Sequence, residues 1–186
     1  MTRALLLLLA LLASPVRAAP PVGDPFPGYD DLCGYDIRVE PTAYLSKAQI
    51  VEGDPVIVID PRLLHPRQGF HRTFLIAHEC AHHRMRHTTR AGLAKRHTAR
   101  HGIRDQEMSA DCWASETLAR AGMLESLLEI ADQFWRRGFV SPGGGYPSGI
   151  QRSNVIRHCS RIAVEKMNDV PARKGTVLRL WHPAER

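Results

Sequence analysis

His78-Glu79-Cys80-Ala81-His82 follows directly on the apolar run Phe74-Leu75-Ile76-Ala77, and no other stretch of the chain restricts the fold as much. Residues four apart on an α-helix differ by only about 40° in direction and one turn in height, so both imidazoles can reach one metal ion. Phe74, Leu75 and Ile76 bury the N-terminal half of such a helix. Glu79 is rotated by about 100° from His78, which takes it off the ligand pair but leaves it close enough to hold a water on the same ion. The competing reading is an amphipathic helix carrying surface histidines, to which the nearby His83 and His87 would also belong.

A zinc enzyme needs a third protein ligand and leaves the fourth position to water. One arrangement places a third histidine six residues beyond the second, after a glycine at the third; here those positions hold Thr88 and Met85, which excludes it. His87 is one residue short, and a continuing helix would point it elsewhere. The other arrangement takes a glutamate from a later helix. Glu107 in Glu107-Met108-Ser109-Ala110-Asp111 is suitably typed, with Asp111 four residues on and hence on the same face. Glu107 then binds the metal, and Asp111 accepts a hydrogen bond from the far nitrogen of a ligand histidine. Without the histidine pair, Glu107 and Asp111 would read as a solvated face paired with arginines.

Arg3, the apolar run Ala4 to Ala13 and the small residues before Ala18 have the pattern of a secretory signal, so residues 1–18 are expected to be removed. The run is too short to span a bilayer, and no later stretch approaches that length, so the mature chain is expected to be exported, periplasmic or extracellular, with no membrane span. Its four cysteines, Cys33, Cys80, Cys112 and Cys159, suit an oxidising compartment and one or two disulfides. Cys80 lies about 180° around its helix from the histidine face, whereas a helix delivering Glu107 must approach that face. Pairing Cys80 with Cys112 is therefore strained, and Cys33 or Cys159 are its more natural partners.

Residues 19–32 carry four prolines and read as an extended arm, and residues 33–186 as a single domain. Tyr35 to Glu40 alternates like a short strand, and a helical turn is expected around Thr42 to Gln49. Pro55-Val56-Ile57-Val58-Ile59-Asp60 is the strongest strand signal. Helical periodicity runs from Phe70 to His87, from Arg104 to Arg120, from Met123 to Arg137 and from Ile150 to Met167. Thr88 to Gly102 reads as a loop or frayed helix, 141–149 as a flexible loop, and Val177 to Trp181 as an edge strand. The fold expected is α+β, mainly α, with two or three short strands beside the helices.

The whole chain has a formal charge of +6, from 25 basic and 19 acidic residues; losing Arg3 and Arg17 leaves 23 against 19, or +4. Much of the excess lies between Arg84 and Arg104. No aromatic residues interleave with it in a recognition motif, so a solvated loop is the better reading and no specific nucleic acid is expected as a partner.

H-E-C-A-H-H followed by E-M-S-A-D-C-W-A resembles the gluzincin-type zinc metallopeptidases, in particular the small bacterial neutral zinc metallopeptidases. Tyr146-Pro147-Ser148-Gly149-Ile150-Gln151-Arg152 is similar to the H-P-S-x-x-x-R segment that follows the third ligand there, with Tyr146 where those proteins often carry histidine. The resemblance implies a zincin-like, mostly helical domain holding Zn2+ through His78, His82 and Glu107, with Glu79 catalytic.

The function expected on this basis is hydrolysis of a peptide or protein substrate, with Glu79 taking a proton from a zinc-bound water and passing it to the leaving amine. Tyr146, Arg152 and His158 are candidates for stabilising the oxyanion, because their segment follows the ligand helices. Substrate-binding strands are not evident. His71, His83, His97, His101 and His182 read as surface histidines. The alternatives are a non-catalytic zinc-binding or chaperone-like cell-envelope protein, a structural zinc site closed by His83 or His87, and a basic loop that binds acidic polymers.

Overall fold

The computed structural model describes residues 33–65, 68–99 and 101–169. The signal segment 1–18, the arm 19–32, the strand expected over 177–181 and His182 lie outside them.

Three strands open the described chain: β1 (Asp36–Val39), β2 (Ser46–Val51) and β3 (Asp54–Ile59). They form one mixed sheet in the order β1-β3-β2, with β1 parallel and β2 antiparallel to β3. Val56 to Ile59 are wholly buried, as befits a β-branched central strand covered on both faces. β2 replaces the helical turn expected around Thr42 to Gln49. Glu52 and Gly53 both take positive φ, 54° and 98°, and join β2 to β3 across the Val51–Asp54 pair. A two-residue turn of that hand matches the twist of its strands, so hairpin pairing wins over the weak local helical preference.

After a 3-10 turn (Pro61–Leu64) come five helices: α1 (Gly69–Arg84), α2 (Arg90–Thr98), α3 (Gly102–Arg120), α4 (Leu124–Arg136) and α5 (Gly149–Asn168). This is the mainly helical α+β fold expected. α1 is the central element: it packs on β2 and β3 and against α3, while α5 packs on α3 and α4. Every residue from Thr73 to His83 is buried. Phe74, Ile76, Leu118, Leu127, Phe134 and Ile156 join Ile57 and Ile59 in one core.

α1 ends at Arg84, three residues before its expected end. The His87 N–H donates to the His82 carbonyl at 2.8 Å and the Arg86 N–H to the His83 carbonyl at 2.9 Å, with Arg86 at φ 60°. This paired closure is a Schellman turn, with arginine where glycine is usual. The segment 88–102 is largely helical, because the Thr89 hydroxyl caps α2 by accepting from the Gly92 N–H. Gly92 and Gly102 are contact points there. A Cβ at Gly92 would collide with the Arg86 carbonyl and lie 2.7 Å from that of His87, and one at Gly102 would collide with the Lys95 carbonyl.

Cys33 pairs with Cys80 and Cys112 with Cys159, so Cys80 takes one of its two natural partners and no described cysteine is free. The first bridge ties the start of the sheet to the back of α1, and the second joins α3 to α5. Among the described residues, no helix is long and apolar enough to cross a membrane.

Candidate metal centre

α1 and α3 lie side by side, and their facing surfaces carry polar side chains that an apolar interface would not tolerate unless they were satisfied. Helical spacing turns His78 and His82 toward α3, and the same spacing turns Glu107 and Asp111 back toward them. All four are buried, with Asp111 at 0% exposure. His78, His82 and Glu107 border a cleft of about 420 Å³ whose walls come from β2, α1, α2, α3, α4, α5 and the segment around Tyr146, while Asp111 lies closed off behind His78.

The Nε2 atoms of His78 and His82 lie 3.1 Å apart, and Glu107 Oε2 is 3.2 Å from His78 Nε2. One ligand atom from each of the three residues falls within 4.8 Å of the other two. Two imidazole nitrogens and a carboxylate converging on one point are three electron-pair donors, an arrangement that requires a cation between them, whether proton or metal. The donor set is that of a divalent site with room for a further ligand, and imidazole with carboxylate suits zinc among other metals.

Each donor is held from behind. His78 Nδ1–H donates to Asp111 Oδ1 at 2.8 Å, which leaves its Nε2 lone pair for the shared point. Asp111 is in turn gripped by Arg152, Nε to Oδ2 at 2.7 Å and Nη2 to Oδ1 at 2.6 Å. His82 Nδ1 meets His87 Nδ1 at 3.0 Å. The Oε1 atom of Glu107 accepts from Arg96 Nη2 at 2.9 Å, and the same nitrogen donates to the Tyr146 hydroxyl oxygen at 2.8 Å.

Burial opposes charge on His78, but the hydrogen bonds it donates to Asp111 and Glu107 outweigh it and raise its pKa to about 10. Burial likewise works against the Glu107 carboxylate, yet bonding to His78 and His82 holds it well below the ordinary range. Asp111 is lowered too, Arg152 and His78 overcoming its burial. In the metal-free protein a proton on His78 therefore sits at the convergence point. His87 is pushed down to about 4, first by burial and then by the charge of His82. Its neutral ring can accept the His82 Nδ1 proton and so direct the His82 Nε2 lone pair inward.

Glu79 is adjacent to the donors but not among them. Its Oε1 accepts from the Ser46 hydroxyl at 2.8 Å, and its side chain borders the cleft. That places it where a carboxylate can act on a water in the cleft.

The structure brings His78, Glu79, His82, Glu107, Tyr146 and Arg152 to one cleft, with Asp111 buried behind them against His78 and Arg152. Arg152 directs its guanidinium at Asp111, so it orients rather than faces a substrate oxygen. His158 is not brought in: it lies six residues beyond Arg152 on α5, turned by about 240°, and is exposed. His83 is not a surface histidine. It is buried, its Nε2 donating to the Val56 carbonyl at 3.0 Å, and it anchors α1 to β3. His71 is half-buried and borders the cleft, whereas His97 and His101 are exposed. His87 is not pointed elsewhere, because the Schellman turn folds it back beside His82.

Sequence reasoning missed Ser46, His87 and Arg96. Thr89 before the basic stretch was the available signal for α2 and so for Arg96. Nothing local marks Arg86 as a turn residue, so His87 had none. Comparison of the chain with protein-family models, with curated proteins and with solved structures finds no match.

Proposed function

We propose that this protein is an exported zinc-dependent peptidase, as its likeness to the gluzincin-type metallopeptidases suggests. The observation that carries this reading is the convergence of His78, His82 and Glu107 to within 4.8 Å, with Glu79 beside them at the wall of an open cleft. Disulfides at Cys33–Cys80 and Cys112–Cys159 support export to an oxidising compartment.

Zinc held by His78, His82 and Glu107 supplies Lewis acidity toward water and a carbonyl oxygen. The chain's own residues do the rest. Glu79, steadied by Ser46, takes a proton from the attacking water as its oxygen bonds to the scissile carbon. As the C–N bond breaks, the same carboxyl returns that proton to the departing amine. Tyr146 accepts from Arg96, so its own phenolic proton is free to turn into the cleft and meet the developing oxyanion.

A peptide is favoured over a small ester because β2 is an edge strand among the described residues and Ser46, Lys47 and Ala48 border the cleft. An extended chain can lie there with its backbone paired to the strand. The test is zinc content and peptide hydrolysis of the purified mature protein beside Glu79→Gln and Glu107→Ala. The reading requires about one zinc per chain, full retention of zinc with loss of at least a hundredfold in turnover for Glu79→Gln, and loss of zinc for Glu107→Ala. Zinc bound by every form with no hydrolysis by any would favour the non-catalytic zinc-binding or chaperone-like alternative.

A further inference from the structure

The charges around the cleft do not balance. Its walls carry four cationic side chains, Lys47, Arg96, Arg137 and Arg152, against two carboxylates, Glu79 and Glu107. Arg96 is committed to Glu107 and Arg152 to Asp111. Both wall carboxylates are themselves engaged, Glu107 by the convergence point and Glu79 by Ser46. Lys47 and Arg137 form no ion pair among the described residues.

Arg137 does not wave freely. It caps the end of α4, and its guanidinium carbon stands 5.0 Å from the centre of the Phe134 ring, which also carries Arg152 at 4.1 Å. Phe134 is buried and is itself part of the cleft wall, so the stacking holds the Arg137 head group at the rim. His71 lies on the same wall. Burial, and then the positive charge of Arg137 and Arg152, keeps it below its ordinary pKa, so its ring stays neutral and adds no charge of its own to that wall. A planar guanidinium at the rim, with no ion-pair partner among the described residues, matches a carboxylate.

We propose that the cleft selects peptides bearing a carboxylate near the scissile bond, and that Arg137, stacked on Phe134, is the residue that recognises it. The inference rests on the peptidase reading for its reaction but not for its binding chemistry. The carboxylate can belong to an Asp or Glu side chain or to the free end of the substrate, and both present the same group to the guanidinium. Lys47 on β2 reinforces the preference as a second unpaired cation.

The test uses the zinc-loaded protein and matched internally quenched peptides carrying Glu, Ala or Lys at each position flanking the bond, with free or amidated C-termini. Glu peptides are expected to exceed Ala peptides in kcat/KM by about fivefold, the scale of one exposed ion pair, and Lys peptides by more. Arg137→Lys keeps the order, and Arg137→Glu inverts it. If free-ended peptides exceed amidated ones whatever the flanking residue, the carboxylate is the chain end; if the preference follows the side chain and survives amidation, it is Asp or Glu. Binding of the same peptides, fluorescently labelled, to Glu79→Gln is measured alongside and must show the same ranking. Equal values for all three peptides in both assays, unchanged by Arg137→Glu, would overturn the proposal. A clear ranking in binding with no hydrolysis of any peptide would uphold the carboxylate site and count against the peptidase reading.

Discussion

His82 and His87 face one another through their Nδ1 atoms at 3.0 Å, although the C-terminus of α1 lies between them. The contact supports the histidine that Asp111 does not reach. His87→Ala is expected to weaken zinc binding by roughly 10–100-fold, the usual loss when the partner of a ligand imidazole is removed. Competition with a calibrated chelator measures it. Circular dichroism should show the helices intact, since His87 is only half-buried.

Zinc affinity should rise steeply with pH. Without metal, His78 has a pKa of about 10, so at neutral pH a proton must leave before its Nε2 can bind the ion. The apparent association constant is expected to increase on the order of tenfold per pH unit between pH 6 and 8, with proton release detectable in weakly buffered solution. The stability of the stripped protein should move the other way. His78 is raised above its unfolded value of about 6.5, so its contribution is complete below that pH and is lost as pH climbs toward 10. Chelator competition and urea melts across this range separate the two.

Arg86 occupies the left-handed position of the turn that ends α1, at φ 60°. A side chain there costs on the order of 1 kcal/mol that glycine avoids, partly offset by the greater freedom of glycine in the unfolded chain. Arg86→Gly is expected to stabilise the protein by roughly 0.5 kcal/mol and to leave zinc affinity unaltered, because His87 keeps its place. Arg86→Val should destabilise it. Denaturant titration of the three forms gives the order.

Gly92→Ala should act on the site from a distance. Its Cβ would press into the Arg86 and His87 carbonyls, forcing α2 away from the turn. α2 carries Arg96, so Glu107 and Tyr146 lose a shared donor. A destabilisation of about 1–3 kcal/mol is expected, together with weaker zinc binding. Arg96→Lys in a Gly92 background should keep much of the affinity that Arg96→Gln loses, which distinguishes support of Glu107 from simple packing.

Helical spacing made the middle of the site legible. It put His78 and His82 on one face, Glu107 and Asp111 on another, and Cys80 away from both, because the direction of a side chain on a regular helix depends only on its position along that helix. The β-branched run at Val56 marked the buried strand for a similarly local reason, and the coarse α+β architecture followed from the same patterns.

What stands behind the donors was decided by tertiary structure. His87 reaches His82 only because the chain reverses at Arg86, a residue with no intrinsic preference for that conformation. Arg96 reaches Glu107 only because Gly92 lets α2 sit against that reversal, and Ser46 reaches Glu79 only because β2 pairs with β3 rather than coiling. Each is a contact between segments whose own patterns are weak, so packing energy chose their course where local propensity did not.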